Sequence, residues 1–241
     1  PVTRTSRSFV PAGTGDLRKI VEALDAYQRE RGQALAFQCV TREQFAQLEA
    51  LFPGRFRIEY DRDYADYVYD AEKLANLSGK KYHGKKNHVN KYQKQYPDWS
   101  YEPMTADNLE DCFQMALIWR RENGCEEDVE KNAEMCVALN ALRLFTELSM
   151  EGGVLRVGGE VVAFTLGEQA CEDTFVVHIE KARADIEGAY TMINQQFVQH
   201  ALLGKYKYVN REDDVGAEGL RKAKLSYHPA FMVDKGYVTE K

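Results

Sequence analysis

Residues 153–168 read GVLRVGGEVVAFTLGE, and this stretch decides the fold of the second half of the chain. Two strand-like runs flank the pair Gly158-Gly159, and a Gly-Gly pair in that position predicts a two-residue β-hairpin turn. Residues 173–181 alternate in polarity and predict a further strand. The centre of this half therefore consists of three consecutive strands.

The segments around these strands predict helices and further strands from the spacing of their apolar residues. The order is two helices over residues 105–117 and 135–148, the three strands, a helix near 193–202, a strand at 206–210, a helix at 216–227 and a strand at 231–238. This is the order of GCN5-related N-acetyltransferases (GNATs), although other α/β or α+β folds share it. We predict an α/β (α+β) mixed sheet with helices on both faces.

The first half predicts helix, strand, helix and strand over residues 14–27, 34–39, 41–51 and 55–59. Thr14 is the expected cap of the first helix, and Thr41 to Gln44 has the spacing of a capping box. Pro97 and Pro103 resist helix and indicate a boundary. We predict an incomplete N-terminal GNAT-like domain over residues 1–97 and a C-terminal one over 98–241.

Composition places the chain among globular proteins. It has 241 residues with a net charge of −6, so contact with nucleic acid requires a local basic patch. Five cysteines without CxxC spacing indicate neither a disulfide framework nor a metal site. No apolar run reaches the roughly 18 residues of a membrane helix, and no leader opens the chain. We expect a cytoplasmic protein whose natural amino terminus lies upstream of Pro1.

The segment from Lys80 to Tyr96 is the strongest local charge in the sequence, with six lysines and no acid. Such lysines, interleaved with tyrosines and histidines, can contact phosphates and stack on bases. The candidate nucleic-acid contacts are Lys80, Lys81, His83, Lys85, Lys86 and His88. Two alternatives remain open: a solvated helix, and a helix neutralised by the acidic run between Glu122 and Glu134.

The stretch from Asn210 to Pro229 combines acids, bases, an amide and hydroxyls. Arg221 and Lys224, three residues apart on a predicted helix, can hold a carboxylate or a phosphate. The candidate catalytic residues are Asn210, Asp213, Asp214, Arg221 and Lys224, with Tyr227 as a substrate contact. A structural ion-pair network would use the same residues.

Two further features lie around the third strand. His178 is a candidate proton shuttle, and alternation places it opposite Phe175, Val177 and Ile179. After the strand, Gly188 precedes a helix whose amino terminus can bind an anion. A structural histidine and an ordinary loop glycine are the alternatives.

Three motifs resemble a bacterial family related to the C-terminal domain of phosphatidylglycerol lysyltransferase. They are residues 66–70 (DYVYD), residues 77–90 (LSGKKYHGKKNHVN) and residues 210–214 (NREDD) continuing to Tyr227-His228-Pro229. Gly188, Ala189, Tyr190 and Asn194 are similar to the family's helix opening. The resemblance implies two tandem acetyltransferase-like domains that move acyl or aminoacyl groups, with aminoacyl-tRNA rather than coenzyme A as the donor.

Three functional hypotheses follow. The first is a transferase that moves an acyl group from aminoacyl-tRNA, or from acyl-coenzyme A, to an amine or hydroxyl acceptor, with backbone amides of the splayed strand stabilising the oxyanion. In it, Asp213 or Asp214 accepts the acceptor's proton. The second is a noncatalytic module that binds RNA or tRNA through residues 80–94. The third is an acetyl-coenzyme A dependent N-acetyltransferase.

Overall fold

The computed structural model describes residues 7–241, which form two compact units. The first unit holds residues 7–67, Asp213–Lys224 and Phe231–Lys241; the second holds Val68–Glu212 and Leu225–Ala230. In chain order the elements are α1 (Leu17–Glu30), β1 (Ala36–Thr41), α2 (Arg42–Leu51), β2 (Phe56–Asp70), α3 (Ala71–Asn76), a 3-10 turn (Lys80–Tyr82), α4 (His83–Gln95), β3 (Ser100–Pro103), α5 (Leu109–Glu122), α6 (Val129–Arg143), β4 (Glu151–Val157), β5 (Glu160–Cys171), β6 (Thr174–Ala182), α7 (Ala189–Phe197), a π turn (Val198–Leu202), β7 (Tyr208–Asn210), α8 (Glu218–Leu225) and β8 (Phe231–Glu240).

The strands hydrogen-bond in the order β1-β8-β2-β7-β6-β5-β4-β3. The β6–β7 pair is parallel, whereas β1–β8, β2–β7, β3–β4, β4–β5 and β5–β6 are antiparallel. The predicted fold class, a mixed sheet with helices, is confirmed. The interpretation of the first half as an incomplete tandem copy stays a prediction.

The first unit packs α1 and α2 around a small apolar core that includes Val21, Phe37 and Leu48. The predicted capping box at Thr41 and Gln44 is present. The first helix is capped by Asp16, whose side chain accepts from the backbone N–H of Lys19, so the prediction of Thr14 as cap is wrong.

Strand β2 is much longer than the predicted strand over residues 55–59, since it continues through the Tyr- and Asp-rich segment to Asp70. Ala65, Tyr67 and Tyr69 are buried at alternate positions within it. The alternation was hidden because the buried residues are mainly tyrosines. Asp70 then caps α3 by accepting from the backbone N–H of Lys73.

The second unit contains the predicted hairpin, with Val157 paired to Glu160 across Gly158-Gly159. Its core lies between α5, α6 and the sheet, and includes Met115, Leu142, Phe164 and Ile179. Strand β3 was not predicted. It has four residues at the edge of the sheet, a position that tolerates Pro103.

The compact units do not follow the predicted division at residue 97. Helix α4 and everything from Val68 to Glu212 belong to one unit, while two later segments return to the other. Pro97 is the second residue of a turn before β3, which the N–H of Trp99 closes on the carbonyl of Tyr96. The division of the chain at residue 97 stays a prediction.

A register shift in the β5–β6 pair sets which side chains of β6 share a face. Leu166 pairs with Ile179 and Gly167 with Val177, which leaves His178 without a partner on β5. A Cβ on Gly167 would lie 1.9 Å from the carbonyl oxygen of Val176, so only glycine fits there. Such a bulge interrupts the two-residue period of a strand.

The alternation predicted for β6 is therefore wrong at Ile179. Phe175 contacts Phe197 of α7, with ring centroids 5.6 Å apart, whereas Ile179 joins the core formed with α5 and α6. Glu180 contacts Asn194 of α7, so it lies on the same side of β6 as Phe175.

Candidate active site at the open edge of β6

Strand β7 pairs with only the first three residues of β6. The pairs run from Thr174 with Tyr208 to Val176 with Asn210, where β7 ends, while β6 continues to Ala182. Within the described part of the chain, residues 177–182 consequently have no strand partner on the β7 side. The predicted splayed strand is present, and side chains surround its open edge.

The first group at this edge is a charged pair with little solvent contact. Arg211, which follows β7, donates to Glu180 of β6 at 2.7 Å, and the two side chains are only 13% and 10% exposed. Asn194 donates from Nδ2 to the other carboxylate oxygen of Glu180 at 3.3 Å. Although burial opposes it, the charge of Glu180 raises the pKa of Arg211, so the guanidinium stays charged.

Tyr227 and Lys85 complete the group. The Nζ atom of Lys85, in the first turn of α4, lies 3.9 Å from the centroid of the buried Tyr227 ring. The guanidinium of Arg211 lies 5.2 Å from the same centroid. Burial and the nearby Arg211 charge lower the pKa of Lys85. We call Lys85, Glu180, Asn194, Arg211 and Tyr227 the Glu180 cluster.

His178 lies between two carboxylates beside this cluster. Its Nδ1 atom is 2.8 Å from Glu212 and its Nε2 atom 3.2 Å from Glu168. The hydrogen bond with Glu212 raises the pKa of His178, against the effect of burial. The backbone N–H of Glu212 donates to Asn210 at 2.7 Å, and Glu212 has a φ of +56°, a region that non-glycine residues rarely adopt.

The opening of α7 is less open to anions than its sequence indicated. Gly188 has a φ of +87°, and the backbone N–H of Ala189 donates to Ile186. Arg183 is engaged by Asp185 at 2.7 Å. Tyr190, on the first turn, is 42% exposed. The loop before α7 thus carries two carboxylates, Asp185 and Glu187, and each of them occupies a nearby base that could otherwise bind a pyrophosphate.

Asp214 belongs to the first unit, whereas the residues of the Glu180 cluster belong to the second. The Asp214 side chain is completely buried. Its carboxylate accepts two hydrogen bonds from Arg221, at 2.7 and 2.9 Å, one from the hydroxyl of Tyr67 and one from the N–H of Gly216. Arg62 lies 3.5 Å away. The Arg221 hydrogen bonds hold the pKa of Asp214 well below its ordinary value. We call these residues the Asp214 network.

The remaining candidates from this stretch have partners in the same unit. Asp213 contacts Lys235 at 3.2 Å, and its carbonyl accepts from Lys224. Arg221 also binds Asp63 at 2.6 Å. These contacts match the ion-pair alternative. The contacts of Asp213, Asp214, Arg221 and Lys224 link segments of the first unit to one another. A catalytic role for these residues stays a prediction.

The basic segment is an exposed helical surface with one inward residue. Five of its lysines (Lys80, Lys81, Lys86, Lys91 and Lys94) and both histidines (His83 and His88) are exposed, whereas Lys85 is half-buried. Tyr82 and Tyr92 are buried, so stacking of bases on these two rings is excluded. Lys91 pairs with Glu187 at 2.6 Å.

The acidic run does not neutralise this helix. Its ion pairs are Glu134 with Lys181 and Asp128 with Lys131, and within residues 7–241 none reaches the basic segment. No trio of His, Cys, Asp or Glu side chains in the same residues is arranged to hold a metal ion.

Sequence reasoning missed Glu180 and Arg211 as members of a site and gave Lys85 only a nucleic-acid role. One signal was present: Glu180 and Lys181 are charged residues in a strand whose neighbours are apolar. Buried charges are rare unless they are paired, so a charge in such a strand indicates a partner elsewhere.

The family profile described as phosphatidylglycerol lysyltransferase, C-terminal, matches residues 4–238. The chain belongs to this family. It spans about half (54%) of the length of the curated relative that it matches at 24% identity, an uncharacterized protein of Mycoplasmoides gallisepticum. The match covers 70% of this chain.

Three solved structures share the family's fold. A conserved protein of unknown function from Bacteroides thetaiotaomicron is 39% identical, with a TM-score of 0.91 over 97% of this chain and 78% of that one. The C-terminal domain of a putative lysylphosphatidylglycerol synthetase from Agrobacterium fabrum is 14% identical, with a TM-score of 0.69 over 94% of this chain and 74% of that one. L-PGS from Bacillus licheniformis is 15% identical, with a TM-score of 0.63 over 92% of this chain and 73% of that one.

The likeness extends to the acetyltransferase fold. A tandem GNAT protein from the clavulanic acid biosynthesis pathway has a TM-score of 0.51 at 9% identity, over 93% of this chain and 69% of that one. None of the helices within residues 7–241 combines the length and the apolar character needed to cross a bilayer.

Proposed function

We propose that this family member is an aminoacyl transferase that moves an aminoacyl group from the 3′ end of a charged tRNA to an amine or hydroxyl acceptor. One observation carries the proposal: helix α4 presents exposed lysines on its surface and directs Lys85 into the Glu180 cluster at the open edge of β6. A tRNA bound along this helix could thus place its aminoacylated 3′ end beside the cluster. Family membership supports an acyl or aminoacyl transfer reaction.

The exposed side of α4 suits an RNA backbone. Its lysines are not neutralised by the acidic run, and phosphate contacts from lysine supply affinity that does not depend on sequence. Because Tyr82 and Tyr92 are buried, this surface would bind phosphates rather than stack on bases.

The open edge of β6 suits an ester carbonyl. In the proposed step the acceptor's nitrogen or oxygen attacks the carbonyl carbon, the ester C–O bond breaks, and the leaving ribose oxygen takes up a proton while the acceptor loses one. Backbone amides at an unpaired strand edge can stabilise the oxyanion, and the remaining catalysis is positioning. His178, with its raised pKa, would relay the proton.

The loop before α7 argues against a coenzyme A donor. A pyrophosphate needs free backbone N–H groups and positive charge, whereas this loop has one glycine, a hydrogen-bonded Ala189 amide and the acids Asp185 and Glu187. If acetyl-coenzyme A at millimolar concentration raised the melting temperature, this argument would be wrong.

Transfer of radiolabel from a mixture of labelled aminoacyl-tRNAs tests the proposal. Acceptors would be offered as a panel of amines and as vesicles containing phosphatidylglycerol. We expect transfer to one of them, reduced at least about tenfold in Lys85→Ala and in Arg211→Lys. Lys222→Ala, an exposed lysine of α8, is the matched control and should keep the wild-type rate.

Binding of charged tRNA separately tests the role of the basic segment formed by the 3-10 turn and α4. Neutralising Lys80, Lys81, Lys86 and Lys94 should weaken binding and lower the slope of log affinity against log salt by about three to four. Steep, salt-sensitive binding with no transfer to any acceptor would favour the noncatalytic RNA-binding module instead. If the protein neither bound charged tRNA nor transferred an aminoacyl group, both functions would be overturned.

A further inference from the structure

Asn194 carries a buried oxygen without a donor. The residue is 2% exposed, its Nδ2 donates to Glu180, and its Oδ1 has no hydrogen-bond partner within residues 7–241. A carboxylate can only accept, so the amide nitrogen must face Glu180 and the orientation of the amide is fixed. The oxygen therefore needs an N–H or O–H donor from outside the described chain.

Lys85 has the opposite deficiency. Its ammonium is half-buried over the ring of Tyr227, and among residues 7–241 it forms no ion pair or hydrogen bond with an acceptor. The carboxylate of Glu180 is already bound by Arg211 and Asn194. The cluster thus contains an acceptor that lacks a donor and a cation that lacks an acceptor.

We propose that these two groups recognise the two ends of one α-aminoacyl unit: Asn194 Oδ1, together with Glu180, takes the free α-ammonium, and Lys85 takes an oxygen of the carbonyl or of the adjoining nucleotide. This inference rests on the proposed function and deepens it, because it makes a free α-amino group a requirement of the donor.

The opposite chemistry at the two positions favours this ligand over a simple acyl group. An acyl chain could satisfy Lys85 through its carbonyl oxygen, but it would leave Asn194 Oδ1 without a donor. An N-acetylated aminoacyl group keeps one N–H, but it lacks the positive charge that would pair with Glu180 and adds an acetyl group at the buried end of the site. Polar sites reject analogues that leave a buried group unpaired, so blocking the amine should cost affinity.

The test uses stable donor analogues and measures binding by calorimetry, without any acceptor. The probes are a 3′-aminoacylamino-3′-deoxyadenosine, its N-acetyl derivative and the corresponding des-amino acyl compound. The wild-type protein should bind the free amine at least about tenfold more tightly than the other two. Asn194→Leu should lose this preference.

The matched control is Gln195→Leu, the neighbouring buried amide of α7, which donates to the carbonyl of Ala75. It should keep the preference, provided circular dichroism shows that both variants are folded. Equal affinity for all three probes in the wild type would overturn the inference, as would a preference that survives in Asn194→Leu. Absence of binding to every probe would also overturn it, and the transfer assay then decides the proposed function independently.

Discussion

Two charged groups each take residues from one stretch of sequence, 210–228, and they differ in how many of their polar atoms have hydrogen-bond partners. In the Asp214 network, a buried carboxylate receives four hydrogen bonds from Arg221, Tyr67 and Gly216. In the Glu180 cluster, within the described residues, the ammonium of Lys85 has no hydrogen-bond acceptor and the Oδ1 atom of Asn194 has no donor. A complete network holds a fold, whereas a group with unmet donors and acceptors is prepared for a ligand.

The largest effect should come from breaking the complete network. Asp214→Ala leaves the Tyr67 hydroxyl buried without its acceptor and removes the bidentate partner of Arg221. We expect the free energy of unfolding to fall by about 3–5 kcal/mol, measured by urea denaturation.

Glu218→Gln is the control for Asp214→Ala, because the Glu218–Lys222 pair is exposed and should change the free energy of unfolding by less than about 0.5 kcal/mol. If the two variants were equally stable, Asp214 would not be a structural residue, and its predicted catalytic role would return.

The next effect concerns the bulge that shapes the Glu180 cluster. Gly167→Ala places a methyl group 1.9 Å from the carbonyl oxygen of Val176, so the β5–β6 pair must shift. We expect a loss of about 3 kcal/mol in the free energy of unfolding and loss of transfer activity. Gly219→Ala, in open space on α8, should instead be neutral or stabilising by up to about 1 kcal/mol.

Removing a cation that has no acceptor should, in contrast, not destabilise the protein. Lys85→Met removes a half-buried cation without leaving any partner unpaired, and the methionine can still cover Tyr227. We expect the free energy of unfolding to stay the same or to rise by up to about 1 kcal/mol while donor binding is lost. A clear loss of stability would mean that Lys85 is a structural residue after all.

The smallest effect is a pH dependence from His178. Its raised pKa means that its ion pairs with Glu212 and Glu168 stabilise the fold fully below the pKa of an unfolded histidine, and that this contribution disappears as the pH rises through the folded-state value. Between pH 6 and pH 8 the wild type should therefore lose slightly more stability than His178→Gln, by less than about 1 kcal/mol. Identical slopes in the two proteins would contradict the shift.

Local signals in the sequence were sufficient for much of the fold. The turn at Gly158-Gly159 and the capping box at Thr41 depend on neighbouring residues, and both are present. Strand β2 was cut short because its second half is rich in aspartates and tyrosines, which obscure the apolar pattern of its buried residues. The edge strand β3 is too short to produce a pattern.

The site was harder to predict because its members come from distant parts of the chain. Glu180 meets Arg211 only through the end of the β6–β7 pairing, and Lys85 reaches Tyr227 from a helix that sequence alone presented as uniformly basic. The bulge at His178 has no sequence signature other than the glycine opposite it. Composition identified the charged stretch at residues 210–228 but could not divide it between two units.

The unpaired position at His178 makes β6 tolerant of a change in length. Deleting that one residue would restore continuous pairing with β5, and Ile179 would still pair with Leu166 and Glu180 with Thr165, so both side chains would keep the surfaces that they occupy now. The deletion would remove the contacts of the imidazole with Glu212 and Glu168 but would leave the pair of Glu180 with Arg211 in place. We therefore expect that relatives can gain or lose a codon at this position without losing the acid beside Arg211.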